Sequence, residues 1–243
     1  MSIFLQMTRF LLLLALPIIT LFAFDKAFAE EAKKRVVNMQ PVKEWIDARR
    51  NLQSLSADVV QSRSLKTLRK PLIKNGRFYF KSPNHFLWEI GSNSNTGKLL
   101  IESIVLRRGE KFYLIDPENR RAQSYTLDSQ KSHLLTPAQA MIEFPVGLTY
   151  SEFKEKFLLL DLIQDESRYY LKILPDDPRT HKYLREICIL FDAKTQLLLS
   201  IQISFRDGSS LTNTFSNIKT NTTISDAIFN FDLKNYKIIH ESN

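Results

Sequence analysis

From Pro41 onward, Val42, Trp45, Ile46, Arg49, Leu52 and Leu55 recur at helical spacing, with Lys43, Glu44, Asp47 and Arg50 between them. That stripe predicts an amphipathic helix, and Pro41 suits its first turn, where a backbone donor would go unused. Beyond Leu55 the period falls to two. Ala57, Val59 and Gln61 alternate with Asp58, Val60 and Ser62. Strands are then predicted over 76–81, 85–89, 98–107, 111–115 and 121–127. Asp116-Pro117-Glu118-Asn119 reads as a turn, because proline presets the backbone of the second turn position. A second series covers 157–163, 169–174, 184–191, 197–205 and 210–218, followed by one more alternating segment over 227–232. The polar breaks between them are too short for parallel crossovers, which need a dozen or more residues, so the pairing is antiparallel. The expected fold is mainly β with helices: a sheet of about 10–11 strands, too large to stay flat, curled into an open or closed barrel.

Residues 129–148 interrupt this pattern. Thr136-Pro137 can start a helix, with the threonine as cap and the proline at the first helical position. Ala138, Met141 and Ile142 give it a short apolar stripe before Pro145 and Gly147 end it. Such a helix is either a cover laid across the sheet or a simple connector.

The stretch from Gly76 to Glu89 carries the most information. Two aromatic runs meet at a Ser-Pro-Asn corner, and Phe78, Phe80, Phe86 and Trp88 project onto one face of the ribbon. That much apolar surface must meet either a core or an apolar ligand. Phe112 and Leu114 follow in the next hairpin and are expected to extend the same lining, with Met141 and Ile142 on the covering helix.

Composition changes this picture in three ways. Thr8 and Arg9, the apolar run from Phe10 to Phe24 and the Ala27-Phe28-Ala29 site read as a secretory signal peptide over 1–29. That leaves 30–243 as a single exported domain, long enough to bury a core without staples. The formal charge is +8, but Lys33-Lys34-Arg35, Arg49-Arg50, Arg107-Arg108 and Arg120-Arg121 are scattered. A nucleic-acid partner would want a concentrated basic face, so none is expected. Scattered charge fits a solvated surface or attraction to anionic headgroups or an acidic partner. Cys188 is the single cysteine, sits in an apolar run and reads as a small core residue.

Catalytic patterns are missing from the sequence. It holds no Gly-x-Ser-x-Gly elbow, no His-Glu-x-x-His, no P-loop and no Gly-x-Gly-x-x-Gly. His85, His133, His181 and His240 are far apart. The expectation is a binding protein rather than an enzyme, with no metal and no cofactor.

Several segments together resemble the outer-membrane lipoprotein carrier (LolA-like) family. They are the signal peptide, the amphipathic helix, Leu55-Ser56-Ala57-Asp58-Val59-Val60-Gln61, the Gly76–Trp88 hairpin, Gly109 to Pro117, and Phe229-Asn230-Phe231. The resemblance runs from about Val42 to Tyr236. It implies a half-open antiparallel barrel whose concave apolar face is covered by the N-terminal helix and a short mid-chain lid helix. It also implies a periplasmic carrier in a Gram-negative bacterium, acting as a monomer. Such a carrier takes lipoprotein acyl chains from an inner-membrane transporter complex to an outer-membrane receptor. A related carrier of another envelope lipid, or a lipoprotein-sensing adaptor of an envelope regulatory system, is the alternative. Phe86 falls where the family has an aromatic near the mouth. Family members commonly carry Arg just before the hairpin proline, holding the lid; here Ser82 stands there, too short for that reach. Arg63 and Arg77 are then the candidates for lid control.

Overall fold

The computed structural model describes residues 38–126 and 148–240. The expected signal segment, Met141, Ile142 and the helix expected after Thr136 lie outside the described residues. The first helix, α1, spans Gln40–Arg50, with Pro41 in its first turn and Arg49 and Arg50 in its last. It stops short of Leu52 and Leu55, which continue its spacing. Leu55 instead opens β1 (Ser54–Ser64), where it pairs with Phe80 on one side and Thr220 on the other. Two flanking strands satisfy the backbone there, which ends the helix.

Two meanders follow. The first runs β1, β2 (Leu72–Lys81), β3 (His85–Asn93), β4 (Leu99–Arg108), β5 (Lys111–Asp116) and β6 (Arg121–Thr126). The second runs β7 (Phe157–Asp165), β8 (Arg168–Pro175), β9 (Leu184–Asp192), β10 (Leu198–Phe205) and β11 (Ser210–Thr220), entered through the short helix α2 (Tyr150–Lys156). Thr149 caps α2: its hydroxyl accepts the Glu152 N–H, and the Glu152 carboxylate accepts the Thr149 N–H at 2.8 Å. That backbone hydrogen bond holds the Glu152 carboxyl below its usual range. Pairing of β1 with β11, Val59 opposite Phe215, joins the two meanders.

The result is one open twelve-stranded sheet in the order β12-β6-β5-β4-β3-β2-β1-β11-β10-β9-β8-β7. Every pairing is antiparallel except β12 (Lys237–His240), which runs parallel to β6. One buried cluster on the inner face extends from Phe112 of β5 to Leu171 of β8 and includes Val42, Trp45 and Ile46 of α1. Laid flat, those strands would span about 38 Å, while an 11-residue helix is about 16 Å long. The sheet therefore curls around its cover.

The alternating segment at 227–232 is not a strand. Asp226–Phe229 forms a 3₁₀ turn, part of a C-terminal strap across the outer face. Ile224 and Phe229 are buried there with Leu87, Ile104, Leu106 and Ile115. Two side chains from the sheet hold the strap at the carbonyls of Ile224, Phe229 and Phe231. Arg108 donates to Phe229 O at 2.5 Å and to Phe231 O at 2.7 Å. Lys81 donates to Ile224 O at 3.2 Å and to the Asp226 carboxylate at 2.5 Å.

Candidate functional site

The inner face of β2 and β3 carries Phe78 opposite Trp88 and Phe80 opposite Phe86. Strand alternation places all of them in the inner-face cluster. The rings of Phe78, Phe86 and Trp88 begin a continuous lane. Phe78 meets Trp88 edge-on at 5.5 Å and stacks on Phe86 at 6.4 Å. Phe86 meets Phe112 at 5.8 Å, and Phe112 meets Tyr125 at 6.2 Å. In the other direction the lane crosses into the second meander through Phe215, which lies 6.4 Å from Phe78 and 6.1 Å from Trp88. Leu114 packs against the same cluster, partly buried.

Helix α1 covers the far side. Trp45 stacks on Phe191 of β9 at 4.9 Å, and Tyr169 of β8 stacks on Phe191 in turn at 5.2 Å. Arg49, one helical turn on, places its guanidinium 4.8 Å from the Trp45 ring centroid. Desolvation pulls its pKa down to about 9, which leaves it charged at neutral pH. The indole N–H groups of Trp45 and Trp88 are buried without a hydrogen-bond partner. Leaving such a donor unpaired costs about 1–3 kcal/mol.

Between lane and cover lies a small apolar recess, partly open to solvent, with free room of about 10 Å³, on the scale of a single water. Leu55, Ala57, Phe78, Leu198, Phe215 and Ile218 line it, and among the described residues Arg49 is the one charged group on its wall. Ordinary ligand pockets hold roughly 300–1,000 Å³, so the face is filled by its own side chains. The aromatic side chains thus serve as core. Chemically the recess offers apolar contact and one cation. Among the described residues no group of three His, Cys, Asp or Glu side chains is placed to hold a metal ion. Burial raises the pKa of the half-buried Cys188 thiol, away from nucleophilic character.

The residues considered for lid control fall in three different places. The Ser82 N–H donates to Gln53 O at 2.9 Å, tying the hairpin corner to the link between α1 and β1. Arg77 alternates to the outer face and pairs with Glu89 at 3.7 Å. Arg63 lies near the opposite end of β1, half-buried, in the field of Asp207. Trp45 and Arg49 stand on a helical stripe that does not by itself assign them to the site, and nothing in the sequence singles out Phe215 or Leu198. Their signal was the ordinary periodicity of α1, β10 and β11, which marks burial and not proximity.

The sequence matches the family described as outer membrane lipoprotein carrier protein LolA over residues 50–232. No curated protein matches it. Among solved structures it is similar to an uncharacterized conserved protein from Thermus thermophilus, with a TM-score of 0.50 at 7% identity, covering 84% of this chain and 100% of that one. It is also similar to a LolA superfamily protein from Nitrosomonas europaea, with a TM-score of 0.41 at 11% identity, covering 81% and 99%. The MucA/MucB complex of Pseudomonas aeruginosa gives a TM-score of 0.44 at 11% identity, covering 78% and 60%.

Proposed function

The chain belongs to the LolA family of outer membrane lipoprotein carrier proteins, and from that premise we propose that it carries lipoprotein acyl chains on the inner face of its sheet. The setting proposed is the periplasm, with an inner-membrane transporter complex as donor and an outer-membrane receptor as acceptor. The observation that carries the reading is the unbroken aromatic lane from Tyr125 to Phe215, built on paired strands, with Arg49 of α1 at its Phe78–Phe215 end. A helix can lift from such a face without breaking the sheet's hydrogen bonds, whereas a covering strand could not.

The energetics favour an escort. Each buried methylene contributes about 0.8 kcal/mol, so an acylated protein does not cross an aqueous compartment alone. Apolar walls accept hydrocarbon without requiring one orientation. The unpartnered indole donors of Trp45 and Trp88 can be satisfied by the ester carbonyls of a cargo. Loading then widens the recess by displacing α1, and an acyl chain replaces the contacts that the helix gives up.

Substituting Ala57→Leu tests this. Ala57 is buried and lines the recess, so the added carbons occupy the volume a chain must enter. Affinity for a fluorescent fatty-acyl probe should fall about tenfold or more, and the crowding should lower stability by about 1–3 kcal/mol. Unchanged affinity in a folded variant would remove the recess from the binding path.

A further inference from the structure

The end of the sheet about 30 Å from the Ser82 corner has a composition that the carrier role does not use. There the β1–β2 loop and the β3–β4 loop emerge side by side, since β3 pairs with both β2 and β4. Leu68 is 43% exposed, Leu72 47%, Ile73 53% and Leu100 53%. Leu68 sits in a turn closed by its N–H donating to Leu65 O at 3.0 Å. Leu72 and Ile73 on β2 stand two strands, about 10 Å, from Leu100 on β4. Single exposed aliphatics are ordinary, but a group of them at one tip is not.

Cations surround this group. Lys66, Arg69 and Lys70 are exposed in the first loop and Lys98 in the second. The acidic residue within these two hairpin ends, Glu102, is already bound by Lys74 and Ser92. The neighbouring β10–β11 turn carries Arg206 and Asp207, which offset each other in charge. The tip is aliphatic rather than aromatic, and positively charged. Aliphatic side chains of this length can enter the boundary between headgroups and acyl chains, while lysine and arginine stems lie along it with their charges at the phosphates.

We propose that this tip docks the protein onto an anionic lipid bilayer surface. The site is separate from the recess, so the two can be tested apart. The experiment is flotation of the full chain, freed of any signal segment it loses on export, with phosphatidylcholine vesicles with and without phosphatidylglycerol. The expected result is binding to the anionic vesicles that disappears in about 1 M salt, where screening acts within about 3 Å. The triple substitution Lys66→Gln, Arg69→Gln and Lys70→Gln should weaken it about a hundredfold, at about 1 kcal/mol for each basic residue near the surface. The pair Leu68→Ser and Leu72→Ser should weaken it as well while leaving salt sensitivity in place. Because all of these side chains are exposed, both variants should keep the wild-type melting temperature and acyl-probe affinity. Equal flotation on neutral and anionic vesicles, no flotation on either, or wild-type binding by both variants would overturn the proposal. Retention by an acidic protein without any binding to vesicles would overturn it too, in favour of a protein partner.

Discussion

Replacing Phe78 by Ala should lower the unfolding free energy by about 3–5 kcal/mol, the range for removing a large buried aromatic. Phe78 is fully buried and touches four parts of the site at once: Phe86, Trp88, Phe215 and the recess wall. It is also where the two meanders meet on the inner face, so its loss loosens the junction as well as the lane. Chemical denaturation measures the loss directly. The same substitution enlarges the recess, and an apolar void of that kind stays dry and accepts hydrocarbon. A saturating fatty-acyl probe should therefore raise the melting temperature of the variant more than that of the wild type, since ligand binding to the folded state adds stability by mass action. A stability loss under about 1 kcal/mol would show that the lane is not the core it is taken to be.

Gly91→Ala should be comparably severe, by about 3 kcal/mol or more, for a purely steric reason. A Cβ at Gly91 would come within 1.9 Å of Leu100 O and 2.7 Å of its carbonyl carbon. Both are backbone atoms, so a side-chain rotation cannot relieve the clash. The β3–β4 register shifts at this point, between Ile90 and Gly91, and the close approach belongs to that bulge. Forcing the strands apart there opens the hairpin end toward Leu99 and Leu100. Hydrogen exchange should show protection lost first over the amides around Ser92 to Ile101, with β9 and β10 protected until global unfolding. Uniform loss across both meanders would contradict this account of Gly91.

Much of the architecture could be read from alternation and turn chemistry. The eleven strands from β1 to β11 fall where period-two runs end in short polar breaks, because antiparallel hairpins are encoded locally. Elements whose definition depends on distant partners were harder. Leu52 and Leu55 continue the spacing of α1 by coincidence, and pairing with β2 and β11 decides that Leu55 is in a strand. The alternation of Ile228, Phe229, Asn230 and Phe231 reflects one side lying on the outer face, with the carbonyls of Phe229 and Phe231 taken by Arg108. β12 is four residues long and pairs in parallel with β6, which lies more than a hundred residues earlier. A run that short carries no periodic signal.

The candidate site divides in the same way. Phe78, Phe80, Phe86 and Trp88 could be placed on one face because a hairpin turn sets their register. Phe112 joins them through β4, one hairpin further on. Phe215 and Leu198 come from the other meander, and only the β1–β11 pairing brings them to Phe78. Arg49 sits on the apolar stripe of α1, where periodicity alone makes a charged residue look misplaced. Its place beside Trp45 and the recess gives that position a physical reason.

The most direct test of the central claim is native mass spectrometry of the protein purified without detergent from its own envelope. An acyl carrier should show a fraction at a mass above that of the polypeptide, releasing a fatty-acylated species on activation, and a smaller such fraction for Ala57→Leu. A bare polypeptide mass in every preparation, together with no uptake of acyl probes by the same material, would contradict it.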